Sequence, residues 1–155
     1  MITFKTYLTE ARMAPLYHGT STNGLNNIVH KKQGIKPLTH QYIMSKNKFA
    51  QSGVSLSRNM HFAINYGGGV VLELDQQRLA QNYKIVPFNF FKNVTRKQNP
   101  FFNEYEEFVL TDKPIPLKYI TSIYVVKYLF KNEVVDKIRQ EYGSTFIKAY
   151  HYRGD

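Results

Sequence analysis

The sequence predicts an α+β domain built on a curved or split β-sheet. Three observations support this fold class: short β-prone runs recur along the chain, only a few short helical patterns separate them, and glycine and proline mark the turns. A length of 155 residues fits one domain. Hydrophobic residues make up 43% and charged residues 21%, which is a globular composition rather than a disordered one.

The predicted elements begin with a short apolar strand from Pro15 to Thr20. A helix follows from about Thr22, because apolar residues recur there at helical spacing, and Gly34 is its predicted C-terminal stop. Residues 36–52 are polar and lack periodicity, so irregular structure is expected there. The run from Val54 to Arg58 alternates like a half-buried strand.

Asn59 is a predicted N-cap of a short helix, and glycines 67–69 then turn the chain into a β-prone run from Val70 to Leu74. Because this glycine run precedes a strand instead of opening a helix, it predicts a chain reversal and not a phosphate-binding loop. The remaining predictions are a helix at Gln76–Gln81, strands at Tyr83–Phe88, Phe108–Leu110 and Ser122–Tyr128, a turn at Pro114 and Pro116, a helix at Asn132–Tyr142 and a strand at Phe146–Tyr150.

Composition restricts the chemistry. The chain has no cysteine, which excludes disulfides and thiolate metal sites, and its five histidines lack metal-ligand spacing, so no metal is predicted. No apolar run approaches the roughly 20 residues of a membrane helix. The first residues do not form the uninterrupted apolar core of a secretory signal.

The formal net charge of +10 favours an anionic partner, such as nucleic acid, an acidic protein or an anionic nucleotide. Residues 89–103 predict a long loop without periodicity, and long loops in compact domains are often functional. This loop carries Lys92, Arg96 and Lys97, which are the predicted substrate-binding residues together with Tyr105.

Three short motifs carry chemically useful side chains. They are Tyr17-His18-Gly19-Thr20 at the end of the first strand, Gly53-Val54-Ser55-Leu56-Ser57-Arg58 with Tyr66 downstream, and Glu104-Tyr105-Glu106-Glu107 before the strand Phe108–Leu110. Singly, each is also typical of ordinary structure: a turn with a partly buried imidazole, serines that face solvent, and a charged lead-in to a strand.

In this order and at these separations, the motifs resemble the ADP-ribosyltransferase superfamily, which includes poly-ADP-ribose polymerases, bacterial toxins and DarT-like enzymes. The resemblance covers roughly residues 16–126 and is of the histidine type. It implies a split, curved sheet and an NAD-dependent mono-ADP-ribosyltransferase, a glycosyltransferase that uses NAD as co-substrate without a metal. The acceptor is expected to be a host macromolecule, either an acidic protein or nucleic acid.

The resemblance also implies roles for individual residues. Glu107, directly before the apolar strand, is the expected catalytic carboxylate, because it would strengthen its bond to the ribose 2′-hydroxyl as oxocarbenium-like charge develops. His18 is expected to donate to the adenosine-side ribose and is counted with the catalytic residues. Tyr66 is expected to stack on the nicotinamide ring.

The other expected cofactor contacts lie in the first two motifs. Gly19 would let the backbone approach the nicotinamide carboxamide, and Thr20 follows it in the same motif. Ser55, which replaces a family tyrosine, or Ser57 would hold the amide. Arg58 would pair with the pyrophosphate, although a surface cation without that role is an equal interpretation.

Two features of the acidic motif leave the register open. Members that modify protein arginine generally carry Glu or Gln two positions before the catalytic glutamate. With Glu107 catalytic that position is Tyr105, which argues against an arginine acceptor. One residue earlier, Glu104-Tyr105-Glu106 becomes that paired-acid motif, so both registers remain possible.

Residues 1–10 resemble the leader of internal head proteins of T4-like bacteriophages, in which a capsid protease cuts after a Leu-X-Glu sequence such as Leu8-Thr9-Glu10. An amphipathic helix that packs on the domain explains the segment equally well. The expected division is a leader at 1–10 and an ADP-ribosyltransferase-like domain at 11–155. Under the phage interpretation, the protein is found in the virion or the host cytoplasm.

Two other functions compete with this assignment. An RNA 2′-phosphotransferase shares the fold and uses NAD, but it does not depend on the same glutamate. A non-catalytic nucleic-acid-binding module would account for the basic charge and the many aromatic residues. The sequence leaves the oligomeric state open.

Overall fold

The computed structural model of the chain describes residues 14–44, 47–88, 106–126, 129, 132–143 and 147–150. The predicted leader at 1–10 lies outside these residues. The predicted substrate-binding residues Lys92, Arg96, Lys97 and Tyr105 lie outside them as well.

The described part of the chain is α+β, as the sequence predicts. Its elements in chain order are β1 Leu16–Thr20, α1 Thr22–Leu25 with a π-helical turn Asn26–His30, β2 Leu38–Met44, β3 Asn47–Ser57, α2 Met60–Gly67, β4 Val70–Leu74, α3 Gln76–Ala80, β5 Lys84–Phe88, β6 Glu106–Leu110, a 3₁₀ turn Leu117–Tyr119, β7 Ile120–Val126, α4 Asn132–Tyr142 and β8 Ile147–Tyr150.

Several local predictions are confirmed. β4 and α4 have the predicted bounds. Asn59 caps α2, because its side-chain oxygen accepts a hydrogen bond from the backbone N–H of His61 at 2.8 Å. The glycine run reverses the chain after α2, and Gly68 ends the helix in the left-handed conformation (φ 63°) that glycine adopts readily.

The prediction of irregular structure for residues 36–52 is wrong. β2 and the first half of β3 pair antiparallel from Leu38↔Gly53 to Met44↔Asn47. Backbone hydrogen bonds between strands do not require apolar alternation, so a polar hairpin leaves no periodic signal in the sequence. The predicted helix after Thr22 is also shorter than expected, because α1 passes into the π-helical turn after four residues.

All eight strands belong to one sheet in the order β5-β6-β3-β1-β4-β7-β8, with β2 also bonded to β3. Neighbouring strands are antiparallel, except that β7 and β8 run parallel. Short connections such as the one between α2 and β4 place successive elements side by side.

The sheet has two halves that meet at a single residue pair. β3 and β1 share only the pair Tyr17↔Ser57, whereas β1 pairs with β4, and β3 with β6, over five residues each. Gly53 pairs with both β2 and β6, which therefore lie on opposite edges of β3. β6 occupies one edge of β3. On the opposite edge, β2 pairs with β3 only as far as Gly53 and β1 pairs with it only at Ser57, so residues 54–56 face the gap between β2 and β1.

Each face of the sheet is covered by helices. The larger core cluster forms on one face, and its helical members come from α1, the π-helical turn, α3 and α4. The smaller cluster forms on the opposite face, where Ala63 and Ile64 of α2 pack on Val71 and Val126, with Tyr17 at the margin. Paired residues of adjacent strands share a face of the sheet. A strand residue that pairs with a member of one cluster therefore lies on the face of that cluster.

Two glycines set the distance between α2 and β1. A methyl group at Gly19 would overlap the backbone oxygen of Ala63, and one at Gly67 would overlap the backbone nitrogen of Thr20. The two glycines face each other across the contact, so neither position has room for a Cβ atom. Close packing of α2 on β1 is thus a sufficient reason for glycine at position 19, independent of any ligand.

We expect Gly19→Ala to lower the free energy of unfolding by about 3 kcal/mol, because the added methyl group must displace helix backbone and not a flexible side chain. Gly68→Asn is the control: the space there is open, with the nearest atom 3.8 Å away, and asparagine tolerates the left-handed conformation. Urea denaturation of both variants measures the difference. Equal stability of the two variants would contradict tight packing of α2 on β1.

Candidate functional site

The described strand residues of the three sequence motifs lie on three adjacent strands. β6 pairs with β3, and β3 pairs with β1, so the register aligns Glu106, Ser57 and Tyr17 in one row across the sheet. These positions are far apart in the sequence and meet only through strand pairing. The row runs through the residue pair that joins the two halves.

The row continues onto β4, where Tyr17 pairs with Glu73. The Glu73 carboxylate accepts hydrogen bonds from the hydroxyls of Thr121 at 2.9 Å and Tyr124 at 2.7 Å. Burial raises the pKa of Tyr124 to about 12, and its hydrogen bond to Glu73 acts in the same direction. Tyr124 therefore remains a hydrogen-bond donor at neutral pH, and Glu73 is a carboxylate held in place by two hydroxyl donors.

His18 connects the two halves beside the gap. Its Nδ1 lies 3.1 Å from the backbone oxygen of Ser55 on β3. A carbonyl oxygen only accepts, so Nδ1 carries the proton and donates it. Burial lowers the pKa of His18, while the bond to Ser55 has the smaller, opposite effect. The ring is therefore neutral at pH 7, with Nε2 as a hydrogen-bond acceptor.

The chain leaves β3 through a short, well-bonded turn. The hydroxyl of Ser57 accepts a hydrogen bond from the backbone N–H of Asn59 at 3.0 Å, and Asn59 then caps α2. Arg58 stands between the last residue of β3 and the cap of α2. These bonds link the end of β3 directly to the helix that carries Tyr66, a residue that is 70% exposed.

The Arg58 side chain bonds away from this turn. Its Nε donates to Oε1 of Glu107 at 2.6 Å, and its Nη1 donates to Oε1 of Gln76 at 3.2 Å. The Glu107 side chain is 10% exposed and that of Arg58 is 29% exposed. Charge-assisted bonds of this length are strong where solvent is excluded. The two residues thus form a largely buried ion pair that also fixes the first residue of α3.

Glu107 and Tyr66 belong to opposite faces of the sheet. Glu107 pairs with Leu56, which lies in the larger core cluster, and Gln76 begins a helix that packs on that same cluster. Ser57 pairs with Tyr17, which packs with α2 on the other face. Successive strand residues alternate between faces, so position 106 belongs to the α2 face and position 107 to the larger core. By the same rule His18, which follows Tyr17 and pairs with Leu72, lies on the larger-core face with Glu107.

The structure therefore brings some predicted site residues together and separates others. His18 and Ser55 are in contact, and Ser57 lies in the row with position 106. Gly19 packs against α2, and Thr20 ends β1 with its hydroxyl against Gly24 of α1. The remaining pair, Arg58 and Glu107, is joined in the ion pair on the larger-core face.

Gln76 is the member of this cluster that the sequence did not indicate. It is one of four polar or charged residues with buried side chains in the described part of the chain. A glutamine at the first position of a short helix is ordinary in sequence, and its contact to Arg58 arises from tertiary packing alone. Asp75 before it caps the helix, because its side chain accepts from the backbone N–H of Arg78.

No protein-family model matches the chain, and no curated protein sequence matches it. None of the helices in the described residues is long and apolar enough to cross a membrane. Within the same residues, no three histidine or acidic side chains group in a way that would hold a metal ion.

The lowered pKa of His18 has a consequence for stability. As the pH falls, His18 takes up a proton in the unfolded chain near pH 6.5, before it does so in the folded protein. The contribution of His18 to the free energy of unfolding is therefore complete above about pH 6.5, and it is lost as the pH falls through the folded-state pKa. We expect the wild type to lose free energy of unfolding between about pH 7.5 and about pH 5.5, and His18→Gln to lose less of it over the same range. Denaturant titrations at the two pH values measure this.

The matched control for His18 is Leu72→Val, because Leu72 is buried and pairs with His18 but has no titratable group. This substitution should lower the free energy of unfolding without changing its pH dependence. If His18→Gln and the wild type lose the same free energy on acidification, His18 is not held in the neutral form by its surroundings.

Proposed function

We propose that the chain is an NAD-dependent mono-ADP-ribosyltransferase of the histidine type, with Glu106 as its catalytic carboxylate. The observation that carries the proposal is the row Glu106–Ser57–Tyr17, next to the contact between His18 and Ser55. Three motifs that resemble the family in sequence thus fall on neighbouring strands at the point where the sheet divides.

The polar groups here suit a nicotinamide nucleotide. Ribose hydroxyls need acceptors, the nicotinamide amide needs hydroxyl or backbone partners, and the ring needs an aromatic surface. His18 on the larger-core face, and the β3 serines and Tyr66 on the α2 face, supply groups of these kinds. Because Nδ1 of His18 is used by Ser55, we propose that His18 accepts a hydrogen bond from a ribose hydroxyl instead of donating one, as the resemblance first suggested.

The proposed reaction breaks the bond between the ribose C1′ and the nicotinamide nitrogen, and nicotinamide leaves with the bonding electron pair. An acceptor nucleophile then bonds to C1′ and gives up its proton. Positive charge on the ribose grows before the new bond forms, so a carboxylate near the 2′-hydroxyl stabilises the transition state more than the ground state.

We assign this role to Glu106 and not to Glu107, which the sequence favoured. The Glu107 carboxylate is already engaged by Arg58, on the larger-core face that it shares with His18. Position 106 pairs with Ser57 and shares the α2 face. The assignment rests on this register and on the environment of Glu107.

We expect Glu106→Gln to lower NAD cleavage by roughly two to three orders of magnitude with the fold retained, because the carboxylate charge is lost while size is kept. Glu107→Gln should lower it by about tenfold or less, since glutamine keeps an oxygen that accepts from Arg58 Nε. Nicotinamide release from NAD measures both. If Glu107→Gln is the inactive variant and Glu106→Gln is not, the catalytic role returns to Glu107.

The competing functions give different results in the same assay. An RNA 2′-phosphotransferase would remove a 2′-phosphate from RNA in the presence of NAD, and Glu106→Gln would not abolish that reaction. A nucleic-acid-binding module would release no nicotinamide and would bind DNA or RNA with strong salt dependence. Either result, with the wild-type protein, would rule out the proposed transferase.

The register with Glu106 also bears on the acceptor. Glu104 then stands two residues before the catalytic carboxylate, at the spacing that the resemblance associates with transfer to protein arginine. We therefore propose a protein acceptor, with an acidic surface that meets the basic residues of the 89–103 segment. Labelled NAD offered with protein or nucleic acid acceptors distinguishes the two classes.

We expect replacement of Lys92, Arg96 and Lys97 by glutamine to weaken transfer and to flatten its salt dependence, because charge attraction to the acceptor is reduced. NAD hydrolysis by water should survive, since none of the three is assigned to the NAD site. Both rates are measured on one triple variant.

The control for this triple variant removes the same net charge elsewhere. Lys31, Lys36 and Lys137 are exposed, and their replacement by glutamine should leave transfer near the wild-type rate. An equal loss of transfer and hydrolysis in the Lys92, Arg96 and Lys97 variant would show that this segment shapes the NAD site itself.

A further inference from the structure

We infer that Arg58 is a positioning residue that holds β6, and with it Glu106, in place through its ion pair with Glu107. This inference rests on the proposed function, because it assigns Glu106 as the group to be positioned. It differs from the expectation that Arg58 pairs with the NAD pyrophosphate. It also gives Glu107 a role in the site without contact to the substrate.

The Arg58 guanidinium makes two directional contacts. Nε is bonded to Glu107 at 2.6 Å and Nη1 to Gln76 at 3.2 Å, so the planar guanidinium is fixed by two acceptors on two different elements. Both acceptors are on residues whose side chains are buried. An arginine held in this way has its charge compensated within the protein.

The two ion-pair partners are chain neighbours of the paired residues Ser57 and Glu106. Glu107 directly follows Glu106 on β6, and Arg58 directly follows Ser57, the residue in register with Glu106. The ion pair therefore bridges β3 and β6 one residue away from the proposed catalytic position. It adds a side-chain link to the backbone pairing at the end of both strands.

Loss of the ion pair should change kcat more than KM. A displacement of about 1 Å in a catalytic group can cost on the order of a hundredfold in rate. The proposed carboxylate acts mainly in the transition state, so its misplacement should lower kcat and leave KM for NAD nearly unchanged. Loss of a direct pyrophosphate contact would instead raise KM.

The experiment measures steady-state NAD cleavage by Arg58→Gln, Arg58→Lys, Glu107→Gln and the double variant Arg58→Gln/Glu107→Gln. We expect Arg58→Gln to lower kcat about 10- to 100-fold with KM for NAD within about threefold. Arg58→Lys keeps the charge and should recover part of the loss. The double variant should be no slower than the slower single variant, because residues that act as a unit are not additive.

Two results would overturn the inference. A KM for NAD raised tenfold or more in Arg58→Gln, with Glu107→Gln unaffected, would make Arg58 a ligand of the nucleotide. Losses in kcat that multiply in the double variant would mean that Glu107 and Arg58 act separately, as expected if Glu107 is itself the reacting carboxylate.

Amide hydrogen exchange tests the positioning role without activity. Arg58→Gln should speed exchange of the β6 amides and of Asn59 and His61, while the control Arg139→Gln should not, because Arg139 pairs with Asp136 on the exposed face of α4 at 3.5 Å. Unchanged exchange in β6 would overturn the positioning role. If the wild type releases no nicotinamide but β6 exchange responds, the proposed function fails while the structural link stands.

Discussion

The pair Tyr17↔Ser57 is the constraint on which the arrangement of the sheet depends. One half of the sheet carries β6 and β3, the other carries β1, β4 and β7, and this pair is the only strand pairing between β3 and β1 in the described residues. The strands separate beyond it, and the His18 ring supplies a hydrogen bond to Ser55 across the gap. A side chain thereby takes over a contact that backbone pairing provides elsewhere in the sheet.

The gap between β1 and β3 affects the hydrogen bonding of the residues around it. Backbone groups near a gap must find hydrogen-bond partners, because a buried carbonyl without one is costly. A neutral imidazole meets the need of Ser55 and keeps an acceptor nitrogen on its other side. The same side chain can therefore be structural towards β3 and chemically available towards a ligand.

Different interactions fix the two faces of the sheet beside the pair Tyr17↔Ser57. On the larger-core face, Glu107 is compensated by Arg58, which leaves no isolated buried charge in that pair. On the other face, α2 packs so closely on β1 that glycine is required at both contact positions, Gly19 and Gly67. The helix that carries Tyr66 is thus fixed by steric fit, whereas the adjacent strand end is fixed by an ion pair.

The sequence by itself determined the α+β class, the bounds of β4 and α4, the Asn59 cap and the reversal at the glycine run, because periodicity, capping and glycine conformation act over a few residues. It also singled out His18 and the β3 serines. It did not indicate the β2–β3 hairpin, because hydrogen bonding between polar strands has no local signature.

Only the tertiary structure decided which of two adjacent glutamates is engaged by Arg58. Strand alternation sends neighbouring residues to opposite faces, and the sequence contains nothing that says which face is the larger core. The pairing Leu56↔Glu107 and the packing of α3 against that core settled it, and they also brought Gln76 to Arg58. Register and packing depend on long-range contacts, and these are set by the whole fold.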